Sequence, residues 1–176
     1  MAICVALTKG RKLACAGGIG GIKSIGIAPW TGASQTTIVA GEMTAISGLS
    51  SVYIYDVKNN GNVFTETQTS DVETRNIMYE DVLTAILQKY DLATKQELAL
   101  LSLGEVYLFI ETYNGDIFSI GANFGANLIT SAFASGGARA DMVGWTLTFN
   151  SFDIIPFQAL STACKVQYAS KSVLGA

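Results

Sequence analysis

Short stretches in which apolar and polar residues alternate recur along this chain, separated by glycine and asparagine. The segment from Trp145 to Asn150 is the clearest, because Trp145, Leu147 and Phe149 alternate with polar residues. Alternation with a period of two is typical of a strand that buries one of its faces. The sequence therefore predicts a fold built mainly from β-strands.

Two Asn-Gly turns predict which strands pair. Residues Val52–Val57 and Asn62–Thr69 flank Asn59-Asn60-Gly61, and Asn-Gly between two strands favours a tight hairpin. The alternation in the second of these strands places Phe64 with Glu66, and Val63 with the threonines, on opposite faces. Further strands are predicted at residues 22–30, 35–40 and 127–133 and, around the turn at Asn114-Gly115, at 105–113 and 116–121.

One helix is predicted between the strands. Residues 92–103 follow Asp91, which can cap a helix, and precede Gly104, which can end one. Residues 78–88 fit either a helix or a strand, because their apolar residues match both periods. The order of strands, one helix, then strands predicts a mostly β (α+β) domain of sandwich or barrel type over residues 1–176. Residues 1–21 and 159–176, rich in small residues, are predicted to be extended arms.

The composition favours self-association. Hydrophobic residues make up 49% of the chain, charged residues only 14%, and the mean hydropathy is +0.36. A membrane protein could have these values, yet the best apolar run, Leu98–Ile110, is interrupted by Ser102, Gly104 and Glu105. Large apolar surfaces on soluble proteins usually mark interfaces. We therefore expect copies of the chain to bury this surface against one another, with no membrane involved.

The sequence offers little for catalysis. It has no histidine, which excludes Ser-His-Asp and Cys-His arrangements, and the three cysteines match no zinc pattern. Acid pairs such as Asp71 with Glu73, or Glu80 with Asp81, remain possible, but they lie among polar residues as solvated acids do. The net charge of −3 indicates no general affinity for nucleic acid. We predict no enzyme activity, no cofactor and no metal site.

A glycine-rich segment near the start resembles a phosphate-binding loop. Residues 17–24 approximate the pattern GxxxxGK[ST], but Ile22 replaces the glycine before Lys23. No buried strand precedes the segment, and the run that follows it ends at Pro29 instead of forming a helix. We expect these glycines to let an arm bend against a neighbouring molecule, and a nucleotide-binding module is the least favoured alternative.

Two segments in the second half resemble the tail tube proteins of tailed phages. The first is residues 110–121, IETYNGDIFSIG, an acidic strand end followed by an Asn-Gly turn, an aromatic residue and a glycine. The second is residues 137–149, GARADMVGWTLTF, which is similar to a G…D…GYTLTF segment with Trp145 at the aromatic position. The helix before the first segment, Pro156 after the second and a GGIK stretch ending at Lys23 fit the same order. The likeness covers about residues 20–158.

This resemblance implies a β-sandwich-like fold with a flanking helix, six copies in a ring, and rings stacked into a hollow tube that delivers a genome. It favours a strand for residues 78–88. The protein would be assembled in the host cytoplasm and reside in the virion tail, with other tail proteins as partners and DNA passing without specific binding. The alternatives are a head–tail connector, a minor capsid subunit, or the tube of a contractile injection system.

The resemblance also leads to a candidate lining for the tube. The polar positions on two strands expected to be adjacent are Glu66, Gln68, Glu80, Thr84 and Gln88. We predict that they face the lumen, and the alternative is that they face solvent on the outside. A ring with a weakly acidic lining would repel DNA and not retain it.

Overall fold

The computed structural model describes residues 18–32, 35–57, 61–71 and 73–174. They form twelve strands and two helices. In chain order these are β1 (Ile22–Pro29), β2 (Thr37–Val39), β3 (Glu42–Ala45), β4 (Val52–Asp56), β5 (Val63–Ser70), β6 (Ile77–Gln88), α1 (Leu92–Leu101), β7 (Val106–Thr112), β8 (Ile117–Ile120), β9 (Asn127–Ala134), β10 (Gly144–Asp153), β11 (Gln158–Leu160), α2 (Thr162–Lys171) and β12 (Ser172–Leu174). The predicted mostly β, α+β fold is confirmed.

The strands form two sheets. The large sheet has eight strands in the order β12-β4-β1-β7-β8-β11-β3-β2, and the small sheet has four in the order β5-β6-β10-β9. All pairs in the small sheet are antiparallel. The large sheet is mixed, because β11 pairs with β3 and β12 pairs with β4 in parallel.

The main core lies between the two sheets. Ile25, Ile27 and Leu108 of the large sheet pack with Leu83 and Leu147 of the small sheet, all of them buried. The alternation in β10 predicted this arrangement, since Leu147 and Phe149 are buried and Trp145 packs against the same cluster. Residues 78–88 lie in β6, which confirms the strand that the resemblance favoured.

A second core covers the opposite face of the large sheet. Helix α2 buries Cys164 and Tyr168 there against Phe109. Ser161 caps the helix by accepting a hydrogen bond from the Cys164 amide. The predicted arm at 159–176 is therefore wrong for its described part, which forms β11, α2 and β12 and packs on the sheet.

The predicted pairing of residues 52–57 with 62–69 is also wrong. β4 lies in the large sheet between β1 and β12, whereas β5 pairs with β6 in the small sheet. The chain therefore passes from one sheet to the other between Val57 and Val63, and residues 58–60 of the predicted turn lie outside the described residues. The second Asn-Gly turn is confirmed, since Gly115 has a φ of 82° and β7 pairs with β8 across it.

Helix α1 forms where it was predicted. The Asp91 side chain accepts a hydrogen bond from the Thr94 amide at 2.9 Å, and the helix ends at Leu101, two residues earlier than predicted. Leu98 is the only residue of this helix that is fully buried. Most of its apolar surface faces outwards, because Leu92 and Leu100 are both more than half exposed.

Candidate functional site

The small sheet has one face on the core and the other in solvent. Strands β5, β6, β10 and β9 place directly paired residues on the same face, and one such row across the sheet contains Val63, Thr84, Thr148 and Thr130. Threonine is the commonest residue on this face, beside apolar residues such as Val82 and Ile86, and we call it the threonine face. Its threonines are Thr65, Thr67, Thr69, Thr84, Thr130, Thr146 and Thr148.

The threonine face is nearly free of charge. Among its paired positions in the described sheet, Glu80 is the only ionisable residue. The Asn150 side chain donates a hydrogen bond to Glu80 Oε1 at 3.0 Å from the neighbouring strand. No lysine or arginine occupies a paired position in this part of the chain, so the face offers a phosphate group hydroxyls and one carboxylate but no cation.

The five residues predicted to line a lumen do not share one face. The structure confirms that their strands are adjacent, with Glu66 opposite Asp81 and Thr67 opposite Glu80. Glu80, Thr84 and Gln88 lie on the threonine face. Glu66 and Gln68 lie on the opposite face, because residues one position apart in a strand point to opposite sides. The prediction of one common lining is therefore wrong for Glu66 and Gln68.

Glu66 contacts the interior of the molecule. Its Oε2 accepts a hydrogen bond from the Phe157 amide at 2.6 Å. The Phe157 ring stands edge-on to Phe64 and to Phe118, with centroids 5.6 and 5.1 Å apart. These contacts attach β5 to the connection between β10 and β11, so Glu66 has a structural role in this fold.

Three acids meet beneath the small sheet. Asp81 is 1% exposed, Asp153 is also buried, and Glu66 is directly opposite Asp81. Asp153 is well satisfied, since it accepts hydrogen bonds from Asn123 and from the amides of residues 154 and 155. Asp81 Oδ1 is buried and receives no hydrogen bond from the described protein groups. Burial, reinforced by the charges of Glu66 and Asp153, raises the Asp81 pKa to about 7.

Both strand edges of the small sheet are open. Within the described ranges no strand pairs with the outer side of β5 or of β9. β9 is largely exposed on both faces and includes Ile129, which is 60% exposed, and Phe133, whose ring is tilted against that of Trp145. Open edges with unpaired backbone groups are sites at which further strands can add.

The segment that resembles a phosphate-binding loop has another use here. Ile22, Lys23 and Ser24 belong to β1, not to a loop before a helix. Lys23 Nζ lies 2.6 Å from Glu111 Oε1, and the Ser24 hydroxyl donates to Glu111 Oε2 at 2.8 Å. The hydrogen bond and the charge of Glu111 raise the Lys23 pKa. Gly17 lies outside the described residues.

The cysteine and the possible metal ligands among the described residues form no reactive site. Burial raises the pKa of the Cys164 thiol to about 11, which disfavours the nucleophilic thiolate, and Cys4 and Cys15 lie outside the described part of the chain. Among the residues that the structure describes, no cluster of three or more His, Cys, Asp or Glu side chains is placed to hold a metal ion. In the same residues no helix has the length and apolar character to cross a membrane.

A groove separates α1 from the large sheet. Three adjoining cavities, with volumes of about 210, 650 and 190 Å³, share Tyr55 as a lining residue. Tyr53 and Leu100 form apolar walls in the groove, and Glu97 lines two of the cavities. We call this the α1 groove.

No family model matches the chain, and no curated protein or solved structure matches it.

The sequence predicted part of the threonine face and contained a signal for the buried acid. Alternation in the segments VFTETQT and WTLTF places the threonines of each strand on one face, but it does not show that the two strands join in one sheet. Asp81 shares its parity in β6 with Leu83 and Ala85, and this parity indicates an acid on the buried face. The prediction treated Asp81 as a solvated acid, and that was wrong.

Proposed function

We propose that this protein is a structural subunit that assembles into hexameric rings, which stack into a hollow tube for genome delivery, as in the tails of phages. The observation that carries the proposal is the small sheet, with two open edges and a solvent face that has no basic residue at its paired positions. The protein acts by assembly and not by catalysis. The sequence resemblance to tail tube proteins points in the same direction.

The number and direction of the strands suit closure into a ring. The small sheet has four strands, each antiparallel to the next, so β5 and β9 run in opposite directions. Copies related by rotation around a ring all point the same way. β9 of one copy would then lie antiparallel to β5 of the next, and the alternation would continue around the ring without a break. Closure would also remove both open edges.

The dimensions of such a ring fit a conduit. Six copies would contribute about 24 strands, and a spacing of about 4.8 Å gives a barrel about 37 Å across its backbone before strand tilt widens it. Side chains take about 5 Å from each wall, since packed sheets lie about 10 Å apart. A channel of about 27 Å would remain.

The threonine face would line this channel. Its other side is already occupied by the core, so only this face can point to the centre. Hydroxyls and one carboxylate per copy would allow DNA to pass without retaining it, because phosphate binding depends mainly on lysine and arginine. Glu80, Thr84 and Gln88 would belong to this lining, and Glu66 and Gln68 would not.

Electron microscopy of the purified protein at rising concentration tests the proposal. We expect rings and then stacked tubes with a central channel. Single rings that never stack would indicate a connector, closed shells would indicate a capsid subunit, and a monomer at every concentration and salt condition would refute self-assembly.

Proline variants test the role of the open edge. Ser131→Pro and Ala132→Pro each remove one amide from β9, and consecutive amides of a strand point to opposite sides. One of the two variants therefore loses an outward amide and keeps its pairing with β10, and its near-native melting temperature identifies it. That variant should form no rings, whereas Ala93→Pro, in the first turn of α1 where proline is tolerated, should assemble normally. Normal tubes from the folded β9 variant would contradict closure through this edge.

A further inference from the structure

We propose that the α1 groove is the docking site for residues 1–17 of the same chain. This inference is independent of ring formation. The groove is an apolar surface that the described residues leave uncovered. The charge and length of residues 1–17, and the position at which they join the described chain, suit them to cover it.

The groove is apolar at its centre. Tyr53 is 47% exposed and Leu100 is 65% exposed, although both line it together with Tyr55 and Leu101. Val173 of β12 extends the same surface. Contact between apolar side chains and water is unfavourable. A segment that covers the groove would therefore gain free energy of binding from burying them.

Acids surround these apolar walls. The three cavities are lined by Asp56, Asp91, Glu97 and Glu105, with Lys89 as the one lining cation among the described residues. The field of Glu97 adds to the burial that raises the Tyr55 pKa, which indicates that this carboxylate acts on the floor of the groove. An occupant should therefore be apolar and positively charged.

Residues 1–17 have this composition. They include Lys9, Arg11 and Lys12 and contain no aspartate or glutamate. Most of the other positions are apolar, including Leu7 and Leu13. In a chain with a net charge of −3, this segment carries three of the eleven basic residues and no acid, and the groove presents four carboxylates to it.

The distances allow docking within one molecule. The Ile19 amide donates to Asn114 Oδ1 at 3.0 Å, which places the start of the described chain at the end of the large sheet where β4 reaches Asp56. Asp56 is opposite Ser24, so about six residues and one strand spacing separate Gly18 from the groove mouth, about 25 Å at most. Seventeen residues can span about 56 Å. A short tether gives a high effective concentration, which favours the groove of the same copy over that of a neighbour.

Photo-crosslinking of the full chain tests this assignment. A benzophenone amino acid replaces Leu7 or Leu13, and the protein is irradiated under reducing conditions at a concentration below that at which any ring forms. Mass spectrometry then identifies the crosslinked residues. We expect crosslinks to Tyr53, Tyr55 or Leu100, with a yield that falls as salt is raised. Crosslinks confined to other surfaces would overturn the proposal.

Charge variants distinguish docking in the groove from nonspecific association with the protein surface. Glu97→Lys should lower the crosslinking yield threefold to fivefold at low salt, roughly the effect of a surface ion pair, whereas Glu73→Lys in the β5–β6 turn should leave it unchanged. A melting curve confirms that Glu97→Lys folds, and Leu100→Lys, at a groove position that is 65% exposed, is the second variant if it does not. Equal yields in the groove variant and the wild type would refute docking there.

Isotope labelling identifies which copy supplies the segment. The protein is prepared from a mixture of ¹⁴N and ¹⁵N chains, so a crosslink within one chain joins peptides with the same label. We expect only such pairs. Pairs with mixed labels in statistical proportion would show that a neighbouring copy supplies the segment, and would overturn the assignment. Electron microscopy of the same samples reports on assembly separately, so failure of one proposal is distinct from failure of the other.

Discussion

Replacing Asp81 with asparagine should stabilise this protein at neutral and alkaline pH. Asp81 is 1% exposed, lies opposite Glu66 and near Asp153, and receives no hydrogen bond at Oδ1 from the described protein groups. Below about pH 7 the folded protein therefore holds this carboxyl mainly in its neutral form, while the unfolded chain ionises it in the ordinary range, and above pH 7 the folded protein must carry a buried charge. Asparagine keeps the shape of the side chain and removes the charge.

The sign and size of the effect follow from the pKa. Burial raises the Asp81 pKa from 3.8 to about 7, so between these values the folded state binds a proton that the unfolded state releases. The stabilisation is complete below pH 3.8 and is lost as the pH rises through 7. A difference of about 3 pKa units corresponds to about 4 kcal/mol as an upper limit. Relaxation around a buried charge and screening by water reduce this, and we expect about 1–2 kcal/mol between pH 5 and 8.5.

Urea unfolding at low protein concentration, followed by tryptophan fluorescence from pH 5 to 8.5, measures this dependence. The free energy of unfolding of the wild type should fall with rising pH, and the Asp81→Asn protein should be about equally stable near pH 5 and more stable at pH 8.5. Glu80→Gln is the matched control, because Glu80 precedes Asp81 on the same strand, is half-buried on the opposite face, and as glutamine keeps an oxygen that can accept the hydrogen bond from Asn150. It should follow the wild type.

Two results would contradict this reasoning. If wild type and Asp81→Asn lost stability in parallel as the pH rises, another group would be responsible for the dependence. If Asp81→Asn were less stable than wild type at every pH, the carboxylate would be contributing a favourable interaction in its ionised form.

Three further predictions follow from the geometry. Gly144→Ala should lower stability by about 2 kcal/mol or more in chemical denaturation, because an added Cβ would collide with the backbone carbonyl of Leu87 on β6, which cannot move without breaking the sheet. Glu80→Lys should leave assembly intact and slow DNA ejection, and normal ejection would count against the lumen assignment. Glu66→Lys should instead lower the melting temperature, because it places a cation in an interior contact. Ser161→Ala removes the cap of α2 and should lower the free energy of unfolding, measured with urea, by about 1 kcal/mol. An unchanged free energy would mean that water fully replaces the lost hydrogen bond.

Local patterns in the sequence predicted local structure well. The alternation in β10, the turn at Asn114-Gly115 and the cap at Asp91 each depend on residues within a few positions of one another, and the structure confirms all three. Such features are determined by the pleat of a strand and by backbone groups that a nearby side chain can satisfy.

Features that depend on distant residues were missed. The turn signal before Gly61 predicted a hairpin, but β4 already has β1 and β12 as neighbours, so the strand that follows is free to join the other sheet. Helix α2 has few large apolar residues, and its stability comes from burying Cys164 and Tyr168 on a sheet formed by earlier segments. Packing of this kind overrides weak local propensity.

The candidate site was predicted in part. Within β5, alternation places Glu66 and Gln68 on the face opposite the threonines, and within β6 it separates Asp81 from Glu80 and Thr84. It does not specify the register between strands, and only the register shows that Glu66 lies opposite Asp81 on the buried face. The prediction joined polar residues of both strands into one surface because that register was unknown.

The connectivity of the two sheets has a kinetic consequence. In the small sheet, β5–β6 and β9–β10 are hairpins formed from neighbouring segments, whereas in the large sheet β11 pairs with β3 and β12 pairs with β4 across more than a hundred residues. Closing long loops is slow, so we expect the hairpins to appear early and the large sheet to complete last. The open edges of β5 and β9 would then be exposed while the molecule is still folding, before its core is complete. Dilution or a chaperone during refolding should therefore limit aggregation and improve the yield of subunits that can assemble.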